Sequence, residues 1–588
     1  MSDNHIIDAA VILSYLFLMA GIGWVFSRAN NNVSDYFRSG SRGAWWMVGS
    51  SAFMSAFSAW TFTGAAGAAF NAGWTVMAIY IGGALGFFLN FICFAAWFRQ
   101  LRVTTVPEAI GLRYDERTRV LYAVANVMLQ VLGSGLTLYG LAIFCAAFFG
   151  FPVAGTICFV GLIVVFYSVS GGSWAVMATD YLQSVLLMAV TLLVGILCLV
   201  YFGGVGGFFD AIESSGLQKD FQFVDFNPNH AAGAFTIGWM LAVSAQNIIS
   251  GNTIYGARRY FAAKDGREAA KAALFTCLLM LIGSWIWLVP PMTGRILFEQ
   301  EILGYALTKP EEASYAFVSV KMLPTGLAAL IVVAMFSATM STLDTGLNAN
   351  AAIIVLDLLP RISRRLKAKL DSPEQALRLS RWISFGLGVL VIASAVYFSQ
   401  VEGKGMFELM LLLQTAFIPM MVPMFFGLLV RRVPRWSAMC TIIIGFAAGL
   451  IGYFEIPITG LSWTFQEKFF LTTTVSTIAF FATMPFWKNV SEADRRRTNE
   501  FFELMYRPVD FEKEIGGATD FSQLRILGRG AAVMAFFVVL LALLPNPLID
   551  RLWILGLATV IGFVSVLMLW AARRLQPTAL GKDLDNDN

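Results

Sequence analysis

The stretch SATMSTLDTGLNAN, residues 337–350, lies inside an apolar run that extends from about residue 327 to residue 359. Placed on a helix, its polar side chains recur at spacings that share one face. They are Ser337, Ser341, Asp344, Thr345 and Asn348. A charged side chain at mid-membrane costs about 2.5 kcal/mol or more, so it usually faces the bundle interior or a cavity. The pattern predicts a transmembrane helix with an oxygen-rich stripe turned towards the protein interior.

The composition places that helix in a polytopic membrane protein. Hydrophobic residues make up 58% of the 588 residues and charged residues 13%, which is about half the charged fraction of a soluble domain. The net charge of +4 is small and the basic residues cluster in loops, so we expect no nucleic-acid partner. The six cysteines fall within hydrophobic segments without paired spacing, which predicts buried thiols rather than disulfides or a metal site.

Apolar segments long enough to cross a bilayer recur about fifteen times along the chain. They lie near residues 6–27, 45–70, 74–98, 118–149, 152–171, 174–203, 232–256, 272–298, 315–358, 378–400, 405–430, 436–455, 466–487, 530–545 and 551–572. Every second loop is rich in Lys and Arg, whereas the opposite loops are acidic. By the positive-inside rule, this alternation predicts a plasma-membrane protein with its N-terminus outside and its C-terminus in the cytoplasm. The first span has the reverse charge polarity of a secretory signal, so we expect it to be retained.

The class of membrane protein follows from which chemistry the chain can support. The two histidines, His5 and His230, lie near span ends without partners at metal-ligand spacing, which disfavours an enzyme, and no pore-loop pattern favours a channel. A carrier needs interrupted helices at mid-membrane, where free carbonyls can meet an ion. Two segments rich in small and polar residues fit this need, although small residues also serve helix packing. They are SSAFMSAFSAWTFTGAAGAAFNAG (50–73) and LAVSAQNIISGNTIYGARR (241–259).

These two segments occupy the second and seventh predicted spans, five spans apart. This spacing predicts an all-α transporter with a five-plus-five inverted repeat and extra flanking helices. The predicted organisation is a first span and loop (1–44), a first repeat (45–203), an external loop (204–231), a second repeat (232–430), additional spans (431–487), a cytoplasmic loop (488–529) and two C-terminal spans with a tail (530–588).

The oxygen-rich stripe has no basic partner within its apolar run, 327–359, and its hydroxyl, amide and carboxylate oxygens suit a sodium ion. The alternative explanation is that these side chains form hydrogen bonds between helices, which contribute about 0.6 kcal/mol each. Such bonds would account for two hydroxyl groups better than for five polar side chains that include an aspartate. A second intramembrane carboxylate, Asp180, follows Trp174 by six residues. For Asp180, both an ion or proton role and a structural hydrogen bond to a neighbouring helix remain open.

At these residues the chain resembles the sodium/solute symporter family, whose members include sodium/glucose, sodium/proline and sodium/galactose carriers. The resemblance extends from the first span to about residue 490. The matching motifs are TTVPEAIGLRY (104–114), YSVSGGSWAVMATDYLQ (167–183), RRYFAAKDGREA (258–269) and GLLVRRVPRWSAMCTIIIGFA (427–447). Two positions depart from the family pattern: Ser173, where an aliphatic residue or Phe is usual, and Ser437, where Gly is usual.

The resemblance implies two ion sites. The shared sodium site would take the carbonyls of Met54, Phe57 and Ala338 and the hydroxyls of Ser341 and Thr342. A possible second ion site would take Asp180, Ser341, Asp344 and Thr345. Asp344 stands where the family usually has Ser or Thr, so the resemblance leaves open whether one or two sodium ions bind and whether a proton takes part.

The resemblance also indicates solute-binding residues. They are Trp60, Thr61, Tyr80 and Gln246, together with Gln414 on position alone. Trp60 matches the proline carrier, whereas the tail RPVDFEKEIG (507–516) and two further spans resemble the longer, sugar-type branch. The resemblance therefore does not fix the solute.

The sequence as a whole predicts a sodium-coupled symporter that imports a sugar-like, amino-acid or organic-acid solute by alternating access. We expect no enzymatic activity, no cofactor besides the coupling ion and no obligate protein partner. Two alternatives remain open from the residues: a proton-coupled symporter that uses Asp180 and Asp344, and a solute sensor without transport.

Overall fold

The computed structural model describes residues 41–170, 173–224, 234–362, 373–458, 463–514 and 522–585, with Gly460 and part of the stretch 8–21. Several predicted features lie outside the described residues: His5, His230 and most of the first span (6–27). Residues 363–372, which belong to a basic loop, are also outside them. The described chain is all-α, and its β-structure is limited to one isolated bridge between Gly43 and Ala263.

The α-helices of the first half are α1 (Trp45–Ala56), α2 (Gly64–Ala72), α3 (Met77–Leu89), α4 (Ala95–Gln100), α5 (Val106–Arg113), α6 (Glu116–Phe149), α7 (Val153–Ser170), α8 (Ser173–Tyr201), α9 (Val205–Ser214), α10 (Ile237–Gly251), α11 (Gly266–Trp287) and α12 (Val289–Leu297). Those of the second half are α13 (Glu299–Leu303), α14 (Ser314–Met322), α15 (Leu327–Ala352), α16 (Leu359–Ile362), α17 (Pro373–Ser399), α18 (Met406–Leu429), α19 (Ser437–Tyr453), α20 (Phe465–Ala482), α21 (Glu492–Tyr506), α22 (Phe511–Glu514), α23 (Ser522–Leu541) and α24 (Leu548–Asp585). Short 3₁₀ helices lie at Ala59–Phe62, Gly73–Val76, Gly256–Ala262, Pro310–Ala313 and Met484–Asn489, and π-helical segments at Asn90–Phe94 and Ile353–Leu358.

Ten helical stretches of the described chain are long and apolar enough to cross a membrane. They are Ala59–Gln100, Glu116–Phe149, Val176–Tyr201, Gly266–Leu297, Leu327–Arg361, Arg378–Ser399, Met406–Leu429, Phe465–Asn489, Gln523–Leu541 and Leu548–Arg574. Two shorter apolar helices, Val153–Phe166 and Ser437–Tyr453, accompany them. Because helices satisfy their own backbone hydrogen bonds in lipid, this set describes a polytopic all-α membrane protein, as predicted.

Both segments that were predicted to interrupt a helix do so. α1 ends at Ala56, the backbone is extended at Phe57, and α2 begins only at Gly64 after a 3₁₀ turn. α10 likewise ends at Gly251, and the next regular segment is the 3₁₀ helix at 256–262. The interruptions leave free backbone carbonyls at the helix ends.

Side-chain amides compensate for the break after α10. Asn90 donates to Gly251 O at 2.8 Å, and Asn252 donates to Ile248 O at 2.8 Å and to Gly86 O at 3.1 Å. Asn90 opens the π-helical segment that follows α3. These contacts hold the interrupted end of α10 against α3, so that the backbone polar groups near the break are satisfied inside the membrane.

The helix that carries the oxygen-rich stripe, α15, is central to the bundle. Nearly all its side chains are buried, and it packs against α1, α6, α8 and α17. The Ser337 hydroxyl forms a 3.0 Å hydrogen bond with the hydroxyl of Tyr15, which belongs to the described part of the stretch 8–21. Packing of that stretch therefore accounts for one of the five polar side chains in the stripe.

Candidate functional site

The end of α1 brings backbone oxygens against α15. Because α1 stops at Ala56, its last carbonyls have no partner within the helix. Thr342 Oγ1 lies 3.4 Å from Met54 O, 3.4 Å from Phe57 O and 3.1 Å from Ala338 O. Four of the five residues predicted for the sodium site are therefore grouped around a single hydroxyl.

Ser341 is the fifth residue predicted for that site. Its side chain is 1% exposed and lies beside the carboxylate of Asp180, yet its hydroxyl has no hydrogen bond of normal geometry. A buried hydroxyl without a partner costs about 1–3 kcal/mol. A cation with this oxygen as a ligand would remove that penalty.

The residues predicted for the second ion site also meet, but a basic side chain lies among them. Arg259 Nη2 lies 3.2 Å from Asp180 Oδ2 and also donates to Thr345 Oγ1. Arg259 Nε donates to Ser55 Oγ at 3.1 Å, and Ser51 donates to the same Asp180 oxygen. Arg259 was not among the predicted site residues, because it follows the end of the seventh predicted span (232–256).

The remaining members of the stripe, Asp344 and Asn348, are buried too. Asp344 is 1% exposed. The side-chain oxygen of Asn348 is buried without a hydrogen-bond partner. The stripe thus combines a structural contact at Ser337 with a group of buried oxygens towards its C-terminal end.

A cavity of about 270 Å³ lies next to the group around Thr342. Thr342 and Phe57 form part of its wall, so the predicted sodium site and the cavity share residues. Four of the predicted solute-binding residues also line it: Trp60, Thr61, Tyr80 and Gln414.

Gln246 is the predicted solute-binding residue that does not line this cavity. The α10 part of the wall is formed by Val243, Asn247, Ser250 and Gly251. Gln246 lies to one side of the helix face that the first three share. Its side chain is 2% exposed, and both amide atoms are buried without a hydrogen-bond partner.

The cavity wall contains polar side chains that can form hydrogen bonds, but it has no charged side chain among the described residues. Trp60 Nε1 and Tyr80 OH are buried and have no hydrogen-bond partner of normal geometry. The hydroxyls of Thr137 and Ser250 donate to carbonyls of their own helices at 3.0 and 3.2 Å, which leaves their lone pairs available. No Asp, Glu, Lys, Arg or His is among the described residues that line the cavity. Because an unpaired buried charge is costly, such a wall suits an uncharged solute with hydroxyl groups.

The N-terminal end of α18 packs against the cavity wall and forms a hydrogen bond with the 3₁₀ helix at Pro310–Ala313. The ring of Phe407 stacks on Trp60, with centroids 6.0 Å apart and an interplanar angle of 10°. The backbone N–H of Phe407 donates to Glu312 Oε1 at 3.2 Å. Glu312 is 3% exposed, and burial raises the pKa of its carboxyl group to about 8.

A second charged contact follows the C-terminal end of α15. Asp357 lies in the π-helical segment 353–358 and is 1% exposed. It accepts hydrogen bonds from Arg119 Nη2 at 2.5 Å and from Thr105 Oγ1 at 2.7 Å. Asp357 thereby joins the end of this long helix to α6 and to the residue that caps α5.

Comparisons with known proteins identify the family of the chain. The chain matches the model of the Sodium:solute symporter family over residues 36–445. It is 24% identical over 499 residues to a sodium/sialic acid symporter of Aliivibrio fischeri, covering 82% of this chain and 94% of the relative. It is 26% identical over 375 residues to a sodium/glucose cotransporter of Vibrio parahaemolyticus, covering 60% and 68%.

A solved structure shares the fold. It is described as the substrate-bound, outward-open state of a Na⁺-coupled sialic acid symporter, and it matches with a TM-score of 0.69 and 21% sequence identity. The match covers 82% of this chain and 98% of the other.

Proposed function

The chain belongs to the sodium:solute symporter family, and we propose that it imports a small organic solute with sodium by alternating access. Family membership makes it a sodium-coupled symporter and not an enzyme. The observation that carries the proposal is the shared wall: Thr342 and Phe57 belong both to the oxygen group and to the cavity. An ion held there fixes part of the surface that the solute touches, so each ligand raises the affinity for the other.

The proposed sodium site consists of the carbonyls of Met54, Phe57 and Ala338 and the hydroxyls of Ser341 and Thr342. Carriers of this kind coordinate sodium with free carbonyls at interrupted helices, and α1 is interrupted after Ala56. The 3.1–3.4 Å contacts of Thr342 and the unpartnered, buried hydroxyl of Ser341 support the assignment.

The proposed solute site is the cavity of about 270 Å³, with Trp60, Thr61, Tyr80 and Gln414 as contact residues. The relatives are named for sialic acid, which carries a carboxylate, and for glucose, which is neutral. The uncharged wall supports a neutral, sugar-like solute over an organic acid or an amino acid. The free donors of Trp60 and Tyr80 would bind its hydroxyl oxygens.

We also propose the finer architecture that the sequence predicts: a five-plus-five inverted repeat within about fifteen spans, with the N-terminus outside and the C-terminus cytoplasmic. The proposed boundaries place the repeats at 45–203 and 232–430. The two interrupted helices, at α1 and α10, support the repeat, and the alternation of basic and acidic loops supports the orientation.

The test is uptake into proteoliposomes under an inward sodium gradient, with a choline gradient as the reference and a panel of labelled hexoses and polyols as solutes. We expect one neutral solute to accumulate with sodium only. The double variant Ser341→Ala, Thr342→Ala should lose this uptake, whereas Thr339→Ala on the same helix should keep it. Sodium-dependent uptake by the double variant would show that the ion site is assigned wrongly.

A further inference from the structure

Arg259 occupies the oxygens that a second cation would use. Its guanidinium group contacts Asp180 and Thr345, two of the four residues predicted for the second ion site, and in addition Ser55. The residue is 8% exposed and Asp180 is 1% exposed, so this is an ion pair inside the protein. A sodium ion and the guanidinium cannot use Asp180 Oδ2 and Thr345 Oγ1 at the same time.

The carboxylate that Arg259 contacts inside the protein is that of Asp180. Asp180 is 1% exposed, and its Oδ2 accepts hydrogen bonds from both Arg259 and Ser51. The neighbouring Arg258 is directed elsewhere: it lies over the ring of Tyr255 and donates to Gln130 at 3.3 Å. Because a buried charge is stable only when it is paired, the guanidinium of Arg259 can take the place of a cation beside Asp180.

We propose that Arg259 is a tethered cation that fills the second ion site, so that the protein binds one sodium ion. This rests on the proposed function, because it takes the site around Thr342 as the place of that one ion. The backbone of Arg259 belongs to the 3₁₀ helix at 256–262, which follows the interrupted helix α10. The guanidinium therefore joins this segment to α1, α8 and α15 through its contacts with Ser55, Asp180 and Thr345.

The experiment counts bound sodium per purified protein with radioactive ²²Na⁺ at saturation, without solute. We expect one ion in the wild type, two in Arg259→Gln, and one again when Asp180→Asn is added to Arg259→Gln. Arg258→Gln is the matched control and should bind one ion, because Arg258 contacts Gln130 instead of Asp180.

Two sodium ions in the wild type would overturn the inference without any variant, so the test does not depend on whether Arg259→Gln folds. One ion in a folded Arg259→Gln, with the wild-type melting profile, would overturn it as well. Failure of the proposed function looks different: the wild type would then bind no sodium, or its one ion would survive Thr342→Val with unchanged affinity.

Discussion

Thr342→Val is the most direct change at the proposed sodium site. Valine keeps the branched shape of threonine, but a methyl group replaces the hydroxyl that faces Met54 O, Phe57 O and Ala338 O. A contact between a charged group and a polar partner contributes about 1.5–3 kcal/mol, and every 1.4 kcal/mol changes a dissociation constant tenfold. We therefore expect the sodium Kd to rise about 10- to 140-fold.

Tryptophan fluorescence, titrated with sodium chloride against choline chloride at constant ionic strength, measures this Kd before the solute is known. Trp60 lines the same cavity as Thr342, so it is placed to report on ion binding. Thr339→Val is the control, because the Thr339 hydroxyl is also fully buried on α15 and has no hydrogen-bond partner. A wild-type Kd in Thr342→Val would refute the assignment, and an equal loss in both variants would point to damaged packing of α15.

Three further outcomes are expected. Burial raises the pKa of Glu312 from 4.5 to about 8, so between these pH values the folded protein binds a proton that the unfolded chain has lost. The melting temperature should therefore fall as pH rises from about 4.5 to 8. Glu312→Gln should flatten that dependence of the melting temperature on pH. Asp357→Asn removes the acidic partner that Arg119 contacts at 2.5 Å. It should lower the free energy of unfolding, measured by denaturant titration, by about 1.5–3 kcal/mol. An unchanged midpoint of the unfolding transition would contradict a stabilising role for this pair. Trp60→Phe keeps a ring against Phe407 but loses the free Nε1 donor, so it should raise the KM for the solute while leaving the sodium Kd unchanged.

Two parts of the site could be predicted from sequence because each depends on features local to one helix: the oxygen-rich stripe within an apolar run and the weak helical segment at 50–73. The pairing of Thr342 with carbonyls of that segment was implied by the resemblance to the family. The structure indeed places Thr342 against Met54 and Phe57.

What could not be predicted depends on contacts between distant elements. Arg259 and Asp180 are 79 positions apart, and nothing in either motif indicates that they pair. One signal was present, since Asp180 and Asp344 lie in apolar runs without a basic residue, and intramembrane carboxylates usually have a partner from another element. Ser337 is similar, because its partner Tyr15 is 322 positions away. Gln246 was predicted from the resemblance to the family, which does not determine that it lies outside the residues that line the cavity.

The position of Arg259 has a consequence for the work that the membrane potential can do. If the guanidinium stays in place through the cycle, only one positive charge enters with each solute molecule. One elementary charge moving through 100 mV releases about 2.3 kcal/mol, which corresponds to an accumulation ratio of about 45 for a neutral solute. Two charges would allow a ratio of about 2,000 at the same potential. With the proposed stoichiometry of one sodium ion, a single arginine side chain would therefore limit the accumulation that the membrane potential can drive, and it would halve the sodium that the cell must pump out again.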